Sequence, residues 1–173
     1  AEHELLCGVP CTVKESIQVA GMPNTAGVTA RRGRLDHRDA VTVQRLRRAG
    51  AVVMGVSNTS ELCLWIEAVN RVYGRTNNAY RPHWSAGGSS GGEGALVGSG
   101  ASPFGLGADI AGSIRIPAMF NGVFGHKPTG RLVPTTGQFP DSGDPNRPFL
   151  GVGVLARRAE DLAPLLRILA GPD

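Results

Sequence analysis

One lysine and two serines are the residues whose types and spacing could do chemistry in this chain. Lys14 follows a short apolar segment, Ser89 lies in a Gly/Ser-rich run over Gly87–Gly94, and Ser113 follows a second glycine-containing run. A serine hydroxyl becomes a nucleophile when a neighbouring base takes its proton. A neutral lysine could accept a proton from Ser89 while Ser89 accepts one from Ser113, without any histidine. Such a relay predicts hydrolysis of an amide bond through an acyl-enzyme.

The lysine sets the most demanding condition on the fold. A free lysine has a pKa of about 10.4, so Lys14 must be buried if it is to be neutral near pH 7. Each unit of lowering corresponds to about 1.4 kcal/mol, and only a preorganised pocket can hold such a group. Taken alone, Lys14 also has the ordinary interpretation of a solvated surface residue.

Ser113 lies where a strand is expected to end and a helix to begin. Backbone N–H groups converge at such a turn, and a helix N-terminus adds partial positive charge. We therefore expect four consecutive amides to form an oxyanion hole, those of Ile110, Ala111, Gly112 and Ser113. The alternative for Ser113 is a simple helix-capping role.

The glycine-rich runs also allow other interpretations. The run around Ser89 could be a flexible turn, or a loop that cradles phosphate, but no Lys-Ser or Lys-Thr pair follows it. Gly105 and Gly107 begin a dinucleotide-binding pattern, but Ile110 stands where that pattern needs glycine. Both nucleotide interpretations are therefore weak.

The elements that would position these residues alternate between helix and strand. The expected elements, in chain order, are a helix capped by Asp36 or Asp39 that ends near Ala49, a strand over 51–56, a short helix from Thr59 or Ser60 to Trp65, a loop over 70–86, a helix over 93–98, a strand over 104–109, a helix over 113–120, a loop over 133–148 and a helix over 159–170. Helix then strand with tight links is typical of α/β proteins.

Composition places the 173 residues among soluble globular proteins, with 41% hydrophobic and 18% charged residues. The net charge of +4 comes largely from arginines over 31–48, which we interpret as a solvated surface because no nucleic-acid fold signature accompanies them. Neither the three cysteines nor the four histidines have metal-ligand spacing, so we expect no metal and no organic cofactor. No apolar stretch reaches the roughly 18 residues of a membrane span.

The stretch Gly87–Ala118 closely resembles the signature of the amidase signature family. It contains Gly-Ser-Ser-Gly-Gly followed by Gly105-x-Gly107-x-Asp109-x-Ala111-x-Ser113-Ile114-Arg115-x-Pro117. The separations between Lys14, Ser89 and Ser113 also suit that family. Further segments resemble its fatty-acid amide hydrolase branch, namely Gly21–Asn24, Ser57–Cys63, Tyr73–Asn78, Phe120–Pro128 and Gly137–Pro140.

The resemblance implies a role for each matching residue. Lys14 resembles the general base, Ser89 the bridging serine that follows a cis peptide bond, and Ser113 the nucleophile that is acylated. The residues that resemble the supporting network are Ser90, Asp109 and Arg115. The residues that resemble the substrate-binding wall are Cys63, Ile110, Ala111 and Gly112.

Two positions depart from the pattern of the animal lipid amidases. Ala111 stands where those enzymes usually have glycine, and Ala108 stands where a small hydroxyl residue is frequent. The signature tolerates alanine at position 111, so we expect a modestly altered oxyanion wall and not a loss of activity.

The resemblance also implies the architecture and the partners. We expect an α/β fold with a mixed sheet flanked by helices, in which residues 1–173 are the N-terminal and central part of one amidase signature domain. The expected partners are a small-molecule or lipid amide substrate and a second copy of the chain, with no nucleic acid. The expected location is intracellular, with membrane association through segments outside this chain.

Two other functions stay open at this stage. One is the glutaminase subunit of a tRNA-dependent amidotransferase, which would use the same relay with a partner subunit. Its pocket would carry polar groups, whereas Cys63–Ile66 is apolar. The other is an incomplete, non-catalytic fragment, which the intact relay argues against.

Overall fold

Five segments rich in valine and small residues pair into one mixed sheet. In this computed structural model, which describes residues 5–141 and 143–173, the strands are β1 (Pro10–Lys14), β2 (Val52–Ser57), β5 (Phe104–Asp109), β6 (Phe124–His126) and β7 (Gly151–Ala156). Their order across the sheet is β2-β1-β5-β7-β6. Strand β1 runs parallel to both of its neighbours, whereas β7 is antiparallel to β5 and β6. A separate antiparallel pair consists of β3 (Val69–Asn70) and β4 (Gly74–Arg75).

Short helices connect and cover the strands. They are α1 (Val41–Arg48), α2 (Gly91–Gly98), α3 (Arg115–Phe120), α4 (Gly143–Asn146) and α5 (Leu162–Leu169). Single 3-10 turns span Thr29–Arg31, Glu61–Cys63 and Ala159–Asp161. The predicted α/β fold with a mixed sheet flanked by helices is confirmed.

The two faces of the sheet have different characters because side chains alternate along each strand. On β1, Cys11 and Val13 point into the larger hydrophobic core, which also contains Leu46 of α1 and Leu165 of α5. The opposite face is covered by α2 and α3, where a smaller cluster gathers Val97, Ile114, Ala118 and Leu155. Lys14 differs from Val13 by one position and therefore belongs to the α2 face.

Two glycines of β5 let α2 approach the sheet closely. A Cβ atom at Gly105 would overlap a carboxylate oxygen of Glu93, and one at Gly107 would lie 2.9 Å from Ser90 Oγ. Side chains at these positions would push α2 away from β5. The glycines of the signature therefore set the distance between the helix and the strand.

Several expected elements differ from those observed. The first helix begins at Val41 after Ala40, which makes no side-chain capping bond, so the predicted caps Asp36 and Asp39 are wrong. Asp39 instead accepts a hydrogen bond from the Ala20 N–H at 2.8 Å and pairs with Arg47. The interactions of these carboxylates with more distant residues replaced the local cap.

Other predicted elements differ from the observed ones in their length or in their type of secondary structure. The predicted helix from Thr59 or Ser60 to Trp65 is only the 3-10 turn Glu61–Cys63. The predicted loop over 70–86 contains the β4 strand, and the predicted loop over 133–148 contains α4. Strands β6 and β7 were not expected at all.

The larger core predicts the effect of truncating α1. Leu46 is fully buried against β1 and α5, so Leu46→Ala should lower the free energy of unfolding by about 2–5 kcal/mol, through lost burial and the cavity that remains. Chemical denaturation of the complete protein that carries this chain would measure the change. Arg48→Ala, at an exposed position of the same helix, is the control. A cost for Leu46→Ala no larger than that of the control would contradict this packing.

Candidate active site

Lys14 is the last residue of β1, and its side chain is completely buried. Its Nζ donates a hydrogen bond to Ser89 Oγ at 2.6 Å and lies 3.4 Å from the carbonyl oxygen of Ala108. Burial lowers the pKa of Lys14 below its ordinary value, and the neighbouring Cys63 and Asp109 oppose this only in part. The structure therefore holds the amine where its neutral form is favoured.

Ser89 and Ser90 precede α2 and are both fully buried. The Gly88–Ser89 peptide bond is cis, as predicted. A Cβ atom at Gly88 would lie 2.8 Å from the backbone of Glu67, so only glycine fits at that position. The Ser90 N–H donates to the Ser113 carbonyl at 3.1 Å, and Ser90 Oγ donates to the Ala108 carbonyl at 3.3 Å. These bonds connect the loop before α2 to both ends of the turn after β5.

Ser113 lies in the turn between β5 and α3 and is partly exposed. It lines the same cavity as Lys14. Within residues 5–141 and 143–173, no hydrogen bond joins the hydroxyl of Ser113 to that of Ser89. The structure thus forms the Lys14–Ser89 half of the predicted relay and places the third member beside it.

Asp109 organises the turn that carries Ser113. Its buried carboxylate accepts hydrogen bonds from the N–H groups of Gly112 at 2.7 Å and Ile114 at 3.0 Å. The guanidinium of Arg115 binds both carboxylate oxygens at 3.0 Å. Burial favours the neutral acid, but the guanidinium and the backbone N–H groups outweigh it, so the pKa of Asp109 lies below its ordinary value.

One part of the predicted oxyanion hole needs correction. The Gly112 N–H points to Asp109 and is not free to bind a substrate oxygen. In the described part of the chain, the N–H groups of Ile110, Ala111 and Ser113 donate to no protein acceptor. Three amides, and not four, are therefore available at this turn.

Cys63 lies at the entrance to the buried lysine. It ends the 3-10 turn, where Leu62 and Cys63 have left-handed φ angles of 52° and 60°. Its thiol lies 3.6 Å from Thr59 Oγ1. Burial opposes ionisation of the thiol, but the Lys14 ammonium and three hydroxyls lower its pKa. Lowering by Lys14 requires the charged amine, so this contribution disappears when Lys14 is neutral.

A cavity of about 250 Å³ joins the candidate residues. Its lining consists of Lys14, Leu62, Cys63, Leu64, Ala108, Asp109, Ile110, Ser113, Gln138, Pro140, Asp141, Asn146 and Leu150. A larger cavity of about 380 Å³ lies at Arg131, Val133–Thr135, Arg147 and Asp173. None of the predicted relay residues lines the larger cavity, so the smaller one is the candidate site.

The sequence interpretation missed two contributors to this region. Gln138 lines the cavity and donates from Nε2 to Ser16 Oγ at 3.1 Å. Glu93 is fully buried and accepts hydrogen bonds from Thr12 of β1 and Ser57 of β2. The signal for Glu93 was visible, because it is a single carboxylate within a run of glycine, alanine and leucine.

The described residues contain no group of three or more His, Cys, Asp or Glu side chains that could hold a metal ion. Among the helices of the described residues, none has the length and apolar character required to cross a bilayer.

Comparison with known proteins assigns the family. The model of the family described as Amidase matches residues 1–173. Human "Fatty-acid amide hydrolase 2" is 51% identical over 165 residues, covering 95% of this chain and 31% of that protein. The solved peptide amidase of Stenotrophomonas maltophilia superposes with a TM-score of 0.91 at 37% identity, covering 99% of this chain and 35% of that chain.

A third relative is named for a different activity. The structure of a Glutamyl-tRNA(Gln) amidotransferase subunit from Thermotoga maritima superposes with a TM-score of 0.91 at 31% identity, covering 100% of this chain and 37% of that chain. The chain therefore belongs to the amidase signature family. It spans about a third of the length of these relatives.

The Asp109–Arg115 contact predicts a pH effect on stability. Because the folded-state pKa of Asp109 is lowered, its ionised form stabilises the fold above the unfolded pKa of about 3.9, and this contribution is lost as the pH falls through the folded value. Arg115→Ala removes one cause of the lowering, so the variant should be less stable than the wild type above about pH 4, and this difference should shrink as the pH falls towards the folded pKa. Thermal unfolding of the complete protein, measured from about pH 6 to about pH 3, would detect it.

Arg158→Ala is the matched control for this measurement. Arg158 is exposed and pairs at 3.8 Å with the exposed Glu160, away from the site. Its loss should leave the acid limb of the stability curve unchanged. The assignment would be wrong if the stability difference between Arg115→Ala and the wild type stayed constant from about pH 6 to about pH 3.

Proposed function

We propose that this chain carries the active-site core of a serine amide hydrolase. In this proposal Lys14 is the general base, Ser89 the bridging serine and Ser113 the nucleophile. The observation that carries it is the 2.6 Å hydrogen bond between Lys14 Nζ and Ser89 Oγ in a fully buried environment that favours the neutral amine. A buried lysine in such short contact with a serine hydroxyl is suited to accept a proton.

The reaction follows from these positions. Ser113 Oγ attacks the amide carbonyl carbon while its proton passes to Ser89 and the Ser89 proton passes to Lys14. The negative charge on the substrate oxygen is stabilised by N–H groups at the 110–113 turn. The Lys14 ammonium then returns a proton through Ser89 to the leaving nitrogen, and water hydrolyses the acyl-enzyme by the reverse route. Bound substrate must bring Ser113 to hydrogen-bonding distance of Ser89, as catalytic contacts tighten on binding.

Asp109, Arg115 and Ser90 position the nucleophile without contacting the substrate amide. Asp109 uses its carboxylate to fix the N–H groups on either side of Ser113. Ser90 fixes the Ser113 carbonyl. The hydroxyl and the remaining amides of the turn therefore face the cavity with little freedom.

We propose fatty-acid amides as the substrate class. Apolar side chains form much of the cavity wall, and two of them, Leu64 and Ile110, also remain 77% and 47% exposed in this chain. Trp65 and Ile66 extend this apolar surface beyond the cavity. Burial of an acyl chain against such a surface would favour lipid amides over polar ones. The 51% identity to a protein named for fatty-acid amides supports the same class.

A glutaminase activity is the second candidate, on one specific observation. The same cavity also presents the polar side chains of Gln138, Asp141 and Asn146. Such groups could bind the amino and carboxyl groups of glutamine. This activity would require a partner protein to use the released ammonia, in line with the similarity to a subunit of an amidotransferase.

A fluorophosphonate probe tests the relay. The complete protein that carries this chain should be labelled at Ser113, and Ser113→Ala should abolish the label. Lys14→Ala should slow labelling by about 10²–10⁴-fold at neutral pH, with partial recovery at high pH, because hydroxide can replace a lost base. Ser99→Ala, an exposed serine after α2, is the control. Labelling that persists in Ser113→Ala would refute the nucleophile.

A substrate panel tests the substrate class. We expect higher kcat/KM for oleamide and N-acylethanolamines than for glutamine or short aryl amides, because only the long chains cover the apolar wall. Replacing Leu64 by Ser should raise KM for oleamide and leave a short aryl amide nearly unaffected. Preference for glutamine, with ammonia release, would favour the second candidate.

A further inference from the structure

Glu93 is a buried acid that the proposed reaction does not use. Its side chain is fully buried in the first turn of α2. Thr12 Oγ1 donates to one carboxylate oxygen at 2.6 Å and Ser57 Oγ donates to the other at 2.5 Å. Among the described residues it forms no ion pair within hydrogen-bonding distance. Burial of a carboxylate with only two neutral hydroxyl partners costs free energy, so its presence close to Lys14 requires an explanation.

The carboxyl group is attached to the same elements as the lysine and the bridging serine. On β1, Thr12 and Lys14 are two positions apart and face α2, where Thr12 binds Glu93 and Lys14 binds Ser89. On β2, Ser57 is the register partner of Lys14. Glu93 therefore bridges β1 and β2 beside the lysine, four residues after the serine that the lysine contacts.

The backbone of β5 packs against a third side of the Glu93 carboxyl group. Gly105 of β5 pairs with Thr12, and any Cβ atom there would overlap a Glu93 oxygen. The backbone of Gly105 therefore packs directly against one Glu93 oxygen. The carboxyl group cannot swing away from Lys14 without breaking two hydrogen bonds, so its charge acts on the lysine from a fixed position.

The elements packed against α2 contain few titratable groups. Lys14 of β1, Asp109 of β5 and Arg115 of α3 belong to the α2 side of the sheet, Cys63 contacts Lys14, and Cys11 of β1 points into the opposite core. Strand β7 contributes none. Asp109 is paired with Arg115, and burial raises the pKa of Cys11 to about 12. Glu93 therefore acts mainly on Lys14, where it adds to the larger effects of Cys63 and Asp109.

We propose that Glu93 is a positioning residue that fixes β1 and β2 beside Ser89 and whose own protonation shifts the pH at which Lys14 becomes a free base. The inference rests on the proposed role of Lys14. An ionised Glu93 favours the ammonium form of Lys14, which cannot accept a proton from Ser89. A protonated Glu93 removes that attraction. Burial raises the pKa of Glu93 to about 7, so this change falls near neutral pH.

The test is the pH dependence of the rate in Glu93→Gln. Glutamine keeps an acceptor and a donor for Thr12 and Ser57 but carries no charge, so Lys14 should lose its proton more easily. Because Glu93 is ionised only above its pKa of about 7, the wild-type acid limb of kcat/KM, and of fluorophosphonate labelling at Ser113, should lie above about pH 7 and move to lower pH by about one unit in Glu93→Gln. The plateau rate should stay within about tenfold. Glu160→Gln, an exposed acid far from the site, should leave the profile unchanged.

A second variant covers the case in which Glu93→Gln does not fold, which thermal unfolding would reveal. Thr12→Val removes one donor to the carboxylate, so Glu93 should stay protonated to higher pH and the acid limb should again move to lower pH. An active, folded variant whose acid limb coincides with that of the wild type overturns the inference and leaves Glu93 with a packing role alone. If the wild type is neither labelled at Ser113 nor active on amides, the proposed function fails instead.

Discussion

The burial of Lys14 is the constraint on which the rest of the site depends. Removing an amine from water disfavours its charged form, and the structure offsets this with a short contact to Ser89 and a longer one to the Ala108 carbonyl. Both contacts require β1, β5 and the loop before α2 to approach closely. Gly88, Gly105 and Gly107 allow this, since a side chain at any of them would collide with a neighbour.

Side chains alternate between the two faces of the sheet along each strand, so one face supplies stability and the other carries the reactive groups. One face is apolar and packs against α1 and α5, so it supplies most of the hydrophobic burial. The other face, covered by α2 and α3, holds Lys14, Ser89, Ser90, Glu93 and Asp109 with few apolar neighbours. Polar groups on that face are matched to one another by hydrogen bonds, which makes their burial tolerable. Lys14 lies on the sheet itself, and hydrogen bonds join the segments that carry Ser89 and Ser113 to the lysine and to each other.

Much of this could be predicted from local sequence. The strand over 104–109 matches the observed β5, since it is a short run bounded by turn residues. The equally buried β7 was not predicted, because a short apolar run without alternation does not by itself distinguish a strand from a buried helix. The caps Asp36 and Asp39 were wrong because both carboxylates found partners distant in sequence. Local capping preference is weak against such tertiary contacts.

The sequence by itself determined the candidate relay residues and the family, because a long mixed motif fixes residue types and spacing together. It also determined the positions that need glycine. Only the tertiary structure decided which atoms meet. It brought Lys14 to Ser89 across 75 positions of chain, assigned the Gly112 N–H to Asp109 and joined Glu93 to Thr12 and Ser57. Such contacts depend on strand register and helix approach, which arise from packing across the whole sheet and not from any local pattern.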